Sequence, residues 1–179
     1  LLIDTISNNR KKKVIYFSTC DFYDSRKSSK YLNHKFEMES LIKERCENWI
    51  IFRVSQIIGS GNINNLLFSF ILKVKNNTRI NLFRNFERNM ITISDVRCIV
   101  MNYIKISNRE IINIANPKNI KVHEIVSIIE KNLNKNAIVE ESQEENFFKI
   151  PLREDYPFEK FTSKYYEESI KDFIRNIIY

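Results

Sequence analysis

A tyrosine and a lysine four residues apart on a helix share one face, and an ammonium beside a phenol favours the phenolate. Such a pair can exchange a proton with a substrate hydroxyl, although free tyrosine titrates near ~10. The chain holds three such spacings, Tyr23/Lys27, Tyr31/Lys35 and Tyr156/Lys160. Tyr23/Lys27 falls in a polar loop, and Tyr156 precedes Pro157, where a helix does not run through. Tyr31/Lys35 opens an amphipathic segment that follows an apolar run ending in Ser18 and Thr19. It is the one pair of the three that opens an amphipathic helix after a strand.

The elements that must position these groups can be read from periodicity. Residues 14 to 18, VIYFS, predict a strand buried on both faces. From Tyr31, the apolar positions Leu32, Phe36, Met38, Leu41 and Ile42 predict a helix, with Glu37, Glu39, Lys43 and Glu44 on its outer face. A second apolar strand is expected over 49 to 59. Strand, helix, strand in this order is a βαβ unit, which implies a parallel sheet whose ligands sit at the carboxyl ends of its strands. Further along, the pattern predicts a helix over 63–75, a strand over 79–83 and strand-like alternation at Ile91 and Ile93. Ser94 or Asp95 is expected to cap the next helix. A strand over 110–116, an amphipathic helix over 121–133, a polar acidic stretch over 140–146 and a last helix over roughly 163–178 complete the order.

The 179 residues, 43% of them hydrophobic, suffice for a buried core. The net charge of +7 comes from 29 basic residues scattered among 22 acidic ones, so no basic stripe argues for a nucleic-acid partner. Cys20, Cys46 and Cys98 show neither CxxC nor Cys/His spacing, so no metal site is expected and free thiols in a reducing cytoplasm are. No apolar run approaches the ~20 residues of a membrane span, and no secretory signal opens the chain. The chain starts at Leu1 without an initiator Met, as a fragment of a longer protein would.

Together these segments resemble a family. VIYFSTCDFYD…YLNHKFEME is similar to the strand, Ser/Thr loop and Tyr-x-x-x-Lys helix of the extended short-chain dehydrogenase/reductases, the NAD-dependent nucleotide-sugar epimerases and dehydratases. IIFRVSQIIGSGN is similar to that family's R-x-x-N-x-Y-G-P strand, ERNMITISDV to R-x-[FY]-I-x-V-x-D-[VL], and IINIANPKNIKVHEIVSII to its N-I-G…S-x-x-E-L segment. The motifs follow one another in the family's order over most of residues 14–133.

The resemblance implies an α/β fold, the C-terminal part of a Rossmann-like doubly wound parallel sheet with a small α/β substrate-binding region. Residues 1–60 would be the C-terminal half of the Rossmann-like domain and 61–179 mainly the substrate-binding region, with 86–106 packing back on the sheet. It implies Tyr31 as the catalytic tyrosine, Lys35 as the lysine that also binds the nicotinamide ribose, and Thr19 as the hydroxyl that steadies the substrate oxygen. Ser18 is the neighbouring hydroxyl on the cofactor side. Gln56, Asn62 and Arg88 would face the substrate, the arginine because its planar fork suits phosphate oxygens. The cofactor would be NAD or NADP, the partner a nucleotide-diphosphate sugar, and the assembly a homodimer. Surface polysaccharide biosynthesis is the setting implied.

Departures from the pattern narrow the reading. Thr19 and Tyr31 lie closer together than is usual in the family, and Asp24 replaces the glycine after Tyr23. Where the dehydratase branch carries Asp-Glu after its threonine, this chain has Cys20 and Asp21, which favours epimerase or ketoreductase chemistry. The only glycines are Gly59 and Gly61, so the glycine-rich pyrophosphate loop lies outside this sequence. The alternative expectation is a truncated or non-catalytic member that binds nucleotide sugars or a protein partner.

Overall fold

A computed structural model describes residues 12–25, 27–59, 65–146, 148–157 and 165–178. The chain divides into two compact units, each assembled from three separate segments. The first comprises Leu1–Ser55, Val96–Ala115 and Lys149–Pro157, the second Gln56–Asp95, Asn116–Phe148 and Phe158–Tyr179.

In the first unit, β1 (Val14–Thr19), β2 (Trp49–Val54) and β6 (Glu110–Ile114) form a parallel sheet in the order β1-β2-β6. The register runs from Val14 opposite Trp49 to Thr19 opposite Val54. Helix α1 (Lys30–Arg45) connects β1 to β2 and buries Leu32 and Ile42. Ile42, Cys46, Trp49 and Ile51 form an apolar cluster against which Val14, Tyr16 and Ile111 pack. Central β2 is buried at every position but Arg53. Strand β1, at an edge of this three-stranded sheet, departs from the expected two-sided burial: Ile15 is 41% and Phe17 47% exposed. Both residues lie on one face of the sheet, and the residue pattern of a strand does not reveal whether both of its faces are covered.

The run expected as one strand over 49–59 is two. The Ser55 N–H donates to Ile114 O at 2.9 Å, and the next amide, Gln56, donates to Asn89 O at 3.2 Å. The backbone thereby changes partners, and β3 (Gln56–Ile58) pairs in parallel with β5 (Met90–Thr92) in the second unit.

That second unit also holds the sheet β7-β4-β8. Here β4 (Arg79–Arg88) runs antiparallel to β7 (Ile120–Lys121) and parallel to β8 (Ile138–Asn146). Leu67 and Ile71 of α2 (Leu66–Lys75), Ile125 and Ile129 of α4 (Val122–Leu133), and Ile170 and Phe173 of α5 (Tyr166–Ile178) join Ile80 and Met90 in its core. Strand β8 occupies the stretch expected to be merely polar and acidic. Its ladder to β4 is a backbone property, and Ile138, Val139, Glu140, Glu141 and Ser142 all stay exposed, so no apolar alternation marks it. The helix expected to be capped by Ser94 or Asp95 is α3 (Ile93–Tyr103), which starts earlier. Thr92 supplies the cap, its Oγ1 accepting from the Asp95 N–H at 3.3 Å and donating to Asp95 Oδ2 at 2.7 Å. Among the described residues no helix is long and apolar enough to cross a membrane, and no group of three or more His, Cys, Asp or Glu could hold a metal.

Candidate active site

Strand β1 ends in two buried hydroxyls, Ser18 and Thr19. Thr19 caps the short 3-10 turn Cys20–Tyr23, its Oγ1 accepting from the Asp21 N–H at 3.1 Å. Its own proton remains available to an acceptor. Ser18 Oγ is buried and has no hydrogen-bond partner among the described residues. Ser29 starts α1 by accepting from the Leu32 N–H at 3.2 Å, and this sets Tyr31, Lys35 and Glu39 one above another on the helix. The Lys35 ammonium reaches back to β1, donating to Phe17 O at 2.8 Å, one residue from Ser18. It lies 4.8 Å from the centroid of the Tyr16 ring and 5.6 Å from that of Tyr31. Ser18, Thr19, Tyr31 and Lys35 therefore belong to one unit, and Lys35 ties the helix that carries Tyr31 to the strand that ends in the two hydroxyls.

Electrostatics correct one expectation. Tyr31 was expected to be made more acidic by Lys35, yet its phenol is held above the usual tyrosine value, first by partial burial and then by the negative charge of Asp21. The Lys35 ammonium is turned to the Phe17 carbonyl, while Asp21 pairs with Lys27. Tyr16 is raised as well, by burial first and then by Tyr31 and Glu39. A cavity of about 470 Å³ touches Phe22, Leu32, Asn33 and Phe36, and none of Ser18, Thr19, Tyr31 or Lys35 lines it.

Gln56 and Arg88 lie in the second unit. Gln56 opens β3 opposite Met90. Arg88 closes β4 opposite Ile120, its guanidinium 4.3 Å from the Phe86 ring centroid. The neighbouring Asn89 is buried; its amide donates to Asn116 O at 2.6 Å and to Asn119 Oδ1 at 2.9 Å, and its own oxygen accepts from the Asn116 N–H at 2.9 Å. Asn62 lies outside the described residues.

No protein-family model matches the sequence. No curated protein matches it either. Solved structures do match. MoeE5, in complex with UDP-glucuronic acid and NAD, superposes with a TM-score of 0.78 at 15% identity over 99% of this chain and 69% of its own. A UDP-N-acetylglucosamine 4-epimerase from Methanobrevibacter ruminantium M1 gives 0.76 at 16% identity, covering 99% of this chain and 66% of its own. The dTDP-glucose 4,6-dehydratase of Bacillus anthracis str. Ames, in complex with NAD, gives 0.76 at 16%, covering 97% and 64%. The chain has the Rossmann-like fold of these nucleotide-sugar epimerases and dehydratases. It spans about two thirds of their length.

In this epimerase-type fold, the residues at the end of β1 can be tested for fit to a dinucleotide. An ammonium has three donors, and Lys35 directs one to Phe17 O, which leaves two for ribose hydroxyls. Ser18 Oγ is a buried polar atom in want of a partner at the same strand end. Both observations fit a nicotinamide ribose.

Sequence reasoning missed the most densely bonded group nearby. Glu39, expected on the outer face of α1, has 0% exposure, whereas Phe36, expected inward, is 57% exposed. The Glu39 carboxylate receives two bonds from Arg53, Nε to Oε1 at 3.0 Å and Nη2 to Oε2 at 2.7 Å. Arg53 Nη1 donates to the Tyr23 hydroxyl at 3.1 Å, and that hydroxyl donates to Asn113 Oδ1 at 3.0 Å. The available signal was a lone arginine in the apolar strand WIIFRV, which must find a buried acid.

Proposed function

We propose that the chain carries the proton-transfer half of an NAD(P)-dependent nucleotide-sugar epimerase or ketoreductase. The supporting observation is the bond from Lys35 to Phe17 O, which ties the Tyr31 helix to the strand ending in Ser18 and Thr19, in a fold shared with enzymes solved with NAD and UDP-sugars. Tyr31, through the small phenolate fraction that its raised titration leaves, takes the proton of a sugar hydroxyl while the carbon bearing that oxygen becomes a carbonyl. Thr19 donates its hydroxyl proton to the same sugar oxygen and steadies the charge that develops there. Lys35 and Ser18 hold the cofactor ribose, with Lys35 fixed in place by Phe17 O. NAD(P) supplies the acceptor, and later the donor, of the hydride. In the reverse direction Tyr31 returns the proton to the oxygen, giving the epimer or the reduced sugar.

Dehydration is the weaker reading. It needs a carboxylic acid to expel water, and Cys20 stands at that position with its thiol buried, bonded to Arg53 O at 3.1 Å and pushed up to about 12. Gln56, Asn62 and Arg88 are assigned to the nucleotide-sugar side. A homodimer working in the cytoplasm on precursors of surface polysaccharide completes the reading, and sedimentation at micromolar concentration tests the dimer. The experiment for the chemistry is Tyr31→Phe in the full-length protein, assayed with NAD and a UDP-sugar. Turnover is expected to fall by about 100-fold or more with the sugar KM little changed. Wild-type turnover in Tyr31→Phe overturns the assignment.

A further inference from the structure

We propose that Arg53 is a positioning residue for the Thr19, Tyr31 and Lys35 centre, tying the helix and the turn that carry those groups to one point on β2. This rests on the reading of Tyr31 and Lys35 given above. Arg53 stands directly opposite Ser18 in the parallel ladder, so it is already placed beside the hydroxyl end of β1. Its fork grips Glu39 through two bonds, and Glu39 lies on the helix face of Lys35 and Tyr31, at four and eight residues' remove. Its third bond goes to Tyr23, and its own carbonyl accepts from Cys20 Sγ at 3.1 Å, so both ends of the turn that Thr19 caps are held by the same residue. The Phe22 and Tyr23 rings lie 5.0 and 5.7 Å from the guanidinium carbon. Through Tyr23 and Asn113 the chain of bonds runs on to Pro151 O, at 2.7 Å from Asn113 Nδ2.

Stability alone does not account for this arrangement. A buried ion pair gives little or no advantage over well-packed apolar residues of the same size, because desolvation offsets the attraction. The planar fork adds a fixed angle and distance in two directions at once. Loss of that angle would let α1 turn or slide against β1, and a displacement of an ångström at the reacting groups is enough to slow chemistry.

The test is Arg53→Lys, which keeps the positive charge but lacks the fork, with Tyr23→Phe as a milder variant that removes a single hydroxyl. In the ring-labelled protein, the Tyr31 resonance, identified by its loss in Tyr31→Phe, is titrated by NMR. With the fork gone, Tyr31 becomes better solvated, and its midpoint is expected to move down by about half a pH unit or more toward free tyrosine. Tyr23→Phe is expected to move it the same way by less. In the full-length protein, kcat is expected to fall about tenfold for Arg53→Lys while the sugar KM stays within about twofold. An unchanged Tyr31 midpoint in folded Arg53→Lys overturns the proposal. If that variant does not fold, an unchanged midpoint in Tyr23→Phe overturns it. If Tyr31→Phe keeps full turnover, the enzymatic reading falls, and the Tyr31 titration still decides whether Arg53 positions the helix.

Discussion

Glu39 is the residue whose removal the first unit should feel most. Its carboxylate is wholly inaccessible and takes both bonds of the Arg53 fork. Glu39→Gln leaves the guanidinium without a counter-charge in a site where its side chain is 16% exposed, and is expected to cost about 3 kcal/mol in urea unfolding. Glu39→Leu with Arg53→Met removes both charges and is expected to cost less than the single change. Cysteine reactivity follows the same logic of burial. Burial pushes Cys20 up to about 12, and Cys46 upward as well, so both stay thiols at neutral pH. Cys98 is only half-buried. Iodoacetamide at pH 8 should therefore label Cys98 first, with Cys20 and Cys46 reacting only after denaturation, as intact mass will report. The Tyr31/Lys35 spacing was legible because a four-residue period is a property of sequence. The burial of Glu39 was not, because polarity alone assigns a carboxylate to the outside, and only the partner on another strand brings it in.

At the scale of elements, sequence pattern worked where one face of a helix is buried and failed where pairing is a matter of backbone. Helix α4 is amphipathic as expected, with Val122, Ile125, Val126 and Ile129 buried and Ile128 and Leu133 partly buried. Strand β8 escaped detection because its side chains over 138–142 stay in solvent, and β2 and β3 read as one run because the change of partner at Ser55 and Gln56 involves only amides and carbonyls. Helix ends make the sharper test. Ser29 accepts from the Leu32 amide in the first turn of α1, so Ser29→Ala is expected to cost about 1 kcal/mol and to loosen the turn that carries Tyr31. Asn134 ends α4 in the left-handed region at φ 50°. There, Asn134→Gly should be nearly neutral, whereas Asn134→Val puts a β-branched side chain in a strained conformation and should cost about 1–2 kcal/mol by chemical denaturation.

For the whole molecule, the two units interleave along the chain, and each draws residues from three separate segments. No long low-complexity linker marks the passages between them. Both units nevertheless share a response to alkali. In the first, the Cys20 thiol is raised from an ordinary 9.0 to about 12, chiefly by burial. In the second, burial and then the charge of Glu87 push the Tyr166 phenol upward, while its contact with the Met90 amide pulls the other way. Each group binds its proton more tightly folded than unfolded. The folded state therefore holds this stabilisation in full below the unfolded value, and loses it as pH rises toward the folded one. Unfolding free energy from urea titrations is thus expected to be level through neutrality and to fall steeply between pH 9 and about 12, the window set by Cys20. Each such group adds about 1.4 kcal/mol per pH unit to the slope. Cys20→Ser removes one titrating proton, and its alkaline limb should be shallower by about that amount; a limb of unchanged slope would mean that the Cys20 thiol ionises without opposing the fold.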